Sequence, residues 1–129
     1  MKILQGYTFT RNVEGLMIPT NIQSSILRNY CRDVNAQYKL HLDEYCFKKC
    51  YIQLHQIIKS KLKLDGIVVC SVMFFPSEKK ELTKIFQLCK RKKIEVHFVF
   101  ENIVFKNQAI ANFVNYIIKN RQINYTVSR

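Results

Sequence analysis

Residues 64–72 read LDGIVVCSV. Ile67, Val68, Val69 and Cys70 follow one another with no polar residue between them. A strand with one face in water alternates apolar and polar residues, whereas a short unbroken run marks a strand covered on both faces. Strands of that kind belong to parallel sheets that lie between helices. Asp65-Gly66 before the run and Ser71 after it supply the turn chemistry at its two ends.

The flanking segments repeat a strand-then-helix unit. A first strand is expected over residues 3–9, followed by the loop TRNVEGLM. Pro19 stands where a helix can start, because the first turn has no use for its missing N–H. Ile18, Ile22, Ile26, Leu27, Tyr30 and Val34 recur at helical spacing, which predicts a helix to about residue 35. A short strand follows over residues 38–42, and Cys50, Leu54, Ile57 and Ile58 mark the apolar side of a second helix. Beyond the central strand, Pro76 and Ser77 open a third helix, with Ser77 as its cap and Glu78 and Glu81 at its positive end. Leu82, Ile85, Phe86 and Cys89 face inward, and the basic run KRKK (residues 90–93) ends that helix. A fourth strand is expected over residues 94–100 and a last helix around Ile110, Phe113, Val114, Ile117 and Ile118. The tail INYTVSR reads as a fifth, edge strand or as a frayed end.

These units predict one α/β domain over residues 1–129: a mostly parallel sheet of four or five strands with helices on both faces. Right-handed crossovers leave few topologies, and a flavodoxin-like strand order 2-1-3-4 is expected. Gly6, inside the first strand, has two readings: close packing of a neighbour, or a bulge.

Composition narrows the function classes. The net charge of +12, from 21 basic and 9 acidic residues, favours polyanions: nucleic acid, anionic lipid, phosphorylated metabolites. The richness in Lys, Asn and Ile also has a purely compositional reading, with lysines spread over solvated faces. Five cysteines, an odd number scattered through apolar segments, read as reduced thiols rather than a disulfide framework. MKILQG is too short and polar for a signal peptide, and no apolar run is long enough to span a bilayer. A soluble, cytoplasmic protein is the expectation.

In an open parallel sheet, ligands bind beyond the C-terminal strand ends, near the switch in strand order. Tyr7, Thr8, Thr10 and Arg11 come there from the first strand, and Asp43, Glu44 and Tyr45 from the second. Ser71 comes from the third, and His97, Glu101 and Asn102 from the fourth. The bland reading is that strand ends are polar because they meet water, with Arg11 and Glu44 or Glu101 a surface ion pair worth ~0–1 kcal/mol. His97 reads as a packed histidine before it reads as a base. Cys46, Cys50 and His55 are too few and wrongly spaced for zinc. Cys50, near the start of the second helix, is a candidate nucleophile if the helix field reaches it. The chain has neither a Gly-rich phosphate loop nor a G-x-S-x-G elbow.

Two family resemblances enter here. GYTFTR, IQSSILRNYC, LDGIVVCSV and KKIEVHFVFENI stand in an order that resembles the catalytic domain of serine recombinases, the resolvases and invertases. That family's first strand ends in Tyr-x-Arg-x-Ser. Here Tyr7 is followed at those positions by Phe9 and Arg11, so the arginine and the serine nucleophile are both missing. The family's Asp-Arg pair after the third strand has no counterpart in SVMFFPSE. DNA cleavage by that mechanism is therefore not expected.

The second likeness is to the sporadic carbohydrate cluster proteins, small bacterial proteins encoded among surface-polysaccharide and sugar-biosynthesis genes. It rests on GYTFTR, on IP followed by Gln23 and LRNYC, on YKL with Glu44, on CYIQL, on LDGIVVCSVMFFP and on HFVFENIVF. The resemblance implies a part in making or modifying a surface glycan and points to Tyr7, Arg11, Gln23, Arg28, Glu44, Cys50, Tyr51, Ser71 and Glu101. It implies no particular reaction.

The expected function is thus an enzyme, or the ligand-binding partner of one, for a sugar phosphate or nucleotide sugar. Glu44, Glu101, Ser71 and Cys50 are the candidate catalytic residues. Tyr7, Thr10, Arg11, Gln23, Arg28 and Tyr51 are the candidate ligand-binding residues, and Arg11 would grip an anionic group. No cofactor or metal site is expected, although Asp43 and Glu44 could share a Mg²⁺ with a substrate phosphate. The alternatives are a recombinase-like domain that binds nucleic acid non-specifically without cutting it, and a non-catalytic module that dimerises through FVNYII of the last helix.

Overall fold

The computed structural model describes the backbone of residues 1–128 and side chains as far as Gln122. In chain order the elements are β1 (Ile3–Thr8), α1 (Thr20–Asp33), β2 (Gln37–Asp43), α2 (Ile52–Lys59), β3 (Gly66–Val69), a 3₁₀ turn (Val72–Phe74), α3 (Lys79–Lys92), β4 (Glu95–Phe98), β5 (Ile103–Phe105) and α4 (Ile110–Ser128). The five strands form one sheet in the order β2-β1-β3-β4-β5. β1 runs parallel to β2 and β3, β3 runs parallel to β4, and only β5 is antiparallel.

The apolar run of residues 67–70 lies at the centre of this sheet, and Ile67, Val68, Val69 and Cys70 have no exposed surface. α1 packs on β1 and β2, α3 packs on β4, and α2 and α4 pack against α3. Aromatic rings tie β4, β5, α3 and α4 together. Phe86 meets Phe75, Phe105 and Phe113 with ring centroids 5.9, 4.9 and 5.0 Å away. Each buried ring contributes about 1.5–3 kcal/mol over its exposed state.

Gly6 satisfies both of its readings at once. A Cβ there would lie 2.6 Å from the Tyr38 hydroxyl and 2.9 Å from the His41 Cβ, and the β1–β2 register shifts between Gln5 and Tyr7. The extra residue of β2 pushes His41 toward β1, and only a glycine leaves room for it.

Several expectations need correcting. The fifth strand is Ile103–Phe105, inside a stretch that reads as a loop, and not the tail. The tail continues α4 to Ser128, while Arg129 lies outside the described residues. Ser77 caps nothing: α3 starts two residues later, after Glu78, which makes no side-chain cap bond. The segment after β3 instead turns sharply into the 3₁₀ turn, capped by Ser71 accepting from the Met73 N–H. Cys50 precedes α2 and does not line its apolar side. In α4, Phe113, Val114 and Ile117 of FVNYII are buried in the chain's own core, while Tyr116 is exposed. Among the described residues, no helix is long and apolar enough to cross a membrane.

Candidate functional site

The register pairs Thr8 with Asp43 at the C-terminal ends of β1 and β2, and the Thr8 hydroxyl donates to the Asp43 carboxylate. The Glu44 N–H then closes onto the Thr8 carbonyl, which turns the Glu44 side chain inward until it is 2% exposed. A helix start leaves N–H groups without partners. Tyr51, the N-cap of α2, supplies no side-chain bond. Glu44 supplies the cap from outside the helix, accepting from the N–H groups of Gln53 at 3.1 Å and Leu54 at 3.2 Å. It also accepts from the Tyr7 phenol at 2.9 Å, from the Tyr45 N–H at 3.0 Å and, weakly, from the Cys50 thiol at 3.8 Å. A carboxylate has about four lone-pair sites. Five donors of the chain itself thus surround the two oxygens of Glu44. Burial, and then the Glu44 charge, push the Tyr7 phenol far above its ordinary pKa, so it remains a donor.

Arg11 fastens the loop that follows. Its Nη1 donates to the carbonyls of Tyr45 at 2.9 Å and Cys50 at 3.0 Å. Its guanidinium carbon sits 4.4 Å from the Phe9 ring centre and 5.1 Å from that of Tyr51. The positions that resemble the recombinase arginine and serine thus hold a buried phenylalanine and the cation stacked on it. Thr10 donates to the Glu44 carbonyl at 3.4 Å. Burial raises the Tyr51 phenol, and Arg11 partly offsets that rise.

Gln23 and Arg28 serve other places. Gln23 is fully buried and brackets Phe9, donating to its carbonyl at 2.7 Å and accepting from its N–H at 3.1 Å. It also donates to the Ile18 carbonyl, which ties the loop after β1 to α1. Arg28 lies on the exposed side of α1 with its guanidinium 5.4 Å from the Tyr38 ring, toward the opposite end of β2. His97 is not at the rim either: it is packed on the sheet between Tyr30 and Glu95.

Ser71 and Glu101 do meet, with the hydroxyl donating to Oε2 at 2.7 Å while Oε1 accepts from the Val72 N–H at 3.1 Å. Ser71 is 1% exposed, which closes it to attack on a ligand. Phe9, on which the Arg11 guanidinium sits, stacks at 5.0 Å on Phe74, which belongs to the turn that Ser71 caps. The expected rim is therefore two polar knots around an aromatic wall. With Glu44 turned into α2 and Asp43 toward Thr8 and His41, the arrangement expected for a shared Mg²⁺ is not formed. Among the described residues no three His, Cys, Asp or Glu side chains gather as a metal site.

The open space lies beside the knots. A groove of about 690 Å³ runs along α2, lined among others by Lys48, Lys49, Cys50, Tyr51, His55 and Lys59. Its wall is continuous with Arg11 through the Cys50 carbonyl and the Tyr51 ring. Sequence reading passed over Lys48, Lys49 and Lys59 and weighed His55 only as a metal ligand. The signal was present, because Tyr51, His55 and Lys59 recur every fourth residue, along one side of a helix. Arg121 was also missed. It sits four residues beyond Ile117 on α4, is 8% exposed, and donates to the carbonyls of Val72, Met73 and Phe75. Nothing in an isolated helix pattern marks an arginine that closes a distant turn.

Two solved structures show the same architecture. The N-terminal catalytic domain of TP901-1 integrase matches with a TM-score of 0.63 at 15% identity, over 97% of this chain and 99% of that one. A resolvase family site-specific recombinase from Streptococcus pneumoniae matches with a TM-score of 0.63 at 11% identity, over 97% of this chain and 92% of that one. The chain has a resolvase-like fold. At these identities the likeness concerns the fold alone. No family model matches the chain, and no curated protein does. The carbohydrate-cluster resemblance therefore rests on the sequence stretches that suggested it.

Proposed function

We propose that this resolvase-like domain binds a sugar phosphate or nucleotide sugar in the α2 groove and serves the synthesis of a bacterial surface polysaccharide. The observation that carries the reading is the groove itself: Lys48, Lys49, Lys59, His55 and Tyr51, against the single carboxylate of Glu81, line a volume of about 690 Å³. That volume lies within the usual range of small-ligand sites, about 300–1,000 Å³. Lysines meet phosphate as point charges, and an aromatic ring offers a flat apolar face to a sugar or base. Arg11 holds the Tyr45 and Cys50 carbonyls and so shapes the groove from behind. The link to surface-polysaccharide synthesis comes from the resemblance of GYTFTR, CYIQL and LDGIVVCSVMFFP to the carbohydrate-cluster proteins.

A thermal-shift panel of sugar phosphates and nucleotide sugars tests the reading. A ligand at 100 times its Kd adds ~2.7 kcal/mol of stability. Lys48→Glu with Lys49→Glu should remove the shift while leaving the unliganded Tm in place. Bound ligand should also shield the Cys50 thiol, which lines the groove, from iodoacetamide. No shift with any member of the panel would remove the sugar reading.

The fold and the charge of +12 favour a second reading, non-specific binding of nucleic acid. It predicts an affinity that falls steeply with salt, by a slope of about −0.9 per phosphate contacted on a log–log plot. A short DNA duplex in the same panel, at low and at physiological salt, separates the two.

A further inference from the structure

β2 is the outer strand on one side of the sheet, with β1 and α1 as its packing partners. None of its seven residues is buried, whereas five of the six in β1 and all four in β3 are. Leu40 is 64% exposed and Leu42 is 41% exposed. An outer strand presents unpaired N–H and C=O groups, and sheets blunt such edges with prolines, lysines or bulges. Here the register shift opposite Gln5 and Tyr7 blunts the first half of the edge. Past it, Leu42 and Asp43 are again in regular register with Tyr7 and Thr8. The last residues of the edge, His41, Leu42 and Asp43, include neither proline nor lysine.

The backbone fixes which groups look outward. The Glu44 N–H bonds to the Thr8 carbonyl, so Glu44 turns its backbone toward β1. Backbone groups alternate sides along a strand, so Leu42 also faces β1, while the N–H and C=O of His41 and Asp43 face away from it. An antiparallel neighbour exchanges a pair of hydrogen bonds at every second residue, which is this spacing. About a two-fold axis through Leu42, His41 comes opposite Asp43 of a second copy, and Asp43 opposite its His41. Each opposed pair exchanges two N–H···O=C bonds. The same operation sets an imidazole against a carboxylate twice, an unlike combination that favours this register.

The neighbouring registers lack this match. One centred on Asp43 sets carboxylate against carboxylate, which is unfavourable. One centred on His41 sets Asp43 against Lys39, whose backbone faces β1 as that of Gln37 does. The edge is thus complementary to itself in one arrangement.

We propose that the chain dimerises edge to edge through His41, Leu42 and Asp43, antiparallel about Leu42, so that two sheets join into one. The contact uses the same edge of both copies and therefore closes at two. Leu42 meets Leu42 of the second copy across the narrow type of antiparallel pair, with Cα atoms about 4.5 Å apart. The dimer does not depend on what the α2 groove binds.

Sedimentation equilibrium of the wild-type chain should show monomer and dimer in exchange. A monomer at every concentration up to about 1 mM, a Kd at the weak limit of association, would leave the edge to another chain and overturn the dimer. Leu42→Lys sets two ammoniums against each other on the axis and should give a monomer with an unchanged Tm. A dimer that survives Leu42→Lys would place the interface elsewhere.

Cross-linking reads the register and stands whether or not Leu42→Lys folds. In a Cys46→Ser, Cys50→Ser background the remaining cysteines are buried. Leu42→Cys then places two thiols within disulfide reach across the axis, whereas two Leu40→Cys thiols lie ~13 Å apart along the strands. Under air oxidation Leu42→Cys should form the covalent dimer at least ~10-fold faster than Leu40→Cys, since only its geometry fits a disulfide. Random collision would favour Leu40→Cys, because Leu40 is the more exposed. Equal rates, or a faster Leu40→Cys, would overturn the register. Amide exchange adds a backbone readout: the N–H groups of His41 and Asp43 should slow as protein concentration rises, while that of Glu44, already bonded within the chain, should not. Exchange at His41 and Asp43 that ignores concentration would refute the pairing.

Discussion

The Tyr7 phenol and the Glu44 carboxylate, 37 residues apart, meet at 2.9 Å inside the core and join the central strands to the start of α2. The carboxylate is the non-local cap of that helix, and the phenol is one of its five donors. The two partners therefore carry unequal loads. Tyr7→Phe leaves Glu44 with its backbone donors and should cost about 1 kcal/mol. Glu44→Ala strips the cap and strands a buried phenol and two helix N–H groups, and should cost roughly 3 kcal/mol or more. Urea unfolding of the two variants measures the difference, and equal losses would contradict the capping role.

Arg11 makes a prediction about the groove. Arg11→Lys keeps the charge and loses the flat stack on Phe9 and Tyr51, a contact worth about 0.5–2 kcal/mol. Amide exchange in residues 45–51 should quicken while β3 is unaffected. An unchanged loop would show that the carbonyl bonds alone hold it.

Gly6→Ala should destabilise by about 1–3 kcal/mol, because the added methyl must displace Tyr38 and His41 from a register that has no slack. Gly15→Ala makes the contrast. It has open space around it and a φ of +88°, so its cost is backbone strain of about 1 kcal/mol. Thermal melts of the two variants separate crowding from strain.

Acid should weaken the fold in two stages. A free histidine titrates at 6.5 and folded His97 lower, so the unfolded chain binds the proton first. His97 thus contributes stability that is complete above pH 6.5 and is lost as the pH falls toward its folded pKa. Glu95, lowered from 4.5, adds a second loss below that value. Denaturation midpoints taken from pH 8 to pH 4 should fall with His97 present and stay flatter above pH ~5 in His97→Gln. A wild-type curve flat across that range would show that His97 titrates normally.

Much of the fold was legible along the chain. The run of residues 67–70 has no polar interruption, which only a doubly covered strand tolerates, and right-handed crossovers then left few strand orders. β5 was not legible: three residues, Ile103–Phe105, carry no period of their own and become a strand because β4 is beside them. Ser77 reads as a cap by residue type, but the chain turns at Ser71, where Glu101 supports the turn.

The candidate site was legible by place and not by role. The strand-end rule brought Tyr7, Arg11, Glu44, Ser71 and Glu101 to the rim. Their types could not say whether they would face a ligand or each other. They face each other, because a buried carboxylate takes the nearest donors, and α2 presents its own N–H groups there.

The sequence by itself determined the β-α alternation, the buried centre of the sheet and the basic surface, since each follows from the order of apolar and charged residues within a window of a few turns. Only the tertiary structure decided that Glu44 caps α2, that Gln23 clamps Phe9, that Arg121 closes a turn 46 residues away, and that Tyr30, His97 and Glu95 stand in line. Hydrogen bonds act over about 3 Å of space whatever the separation along the chain, so their partners exist only once the elements have packed.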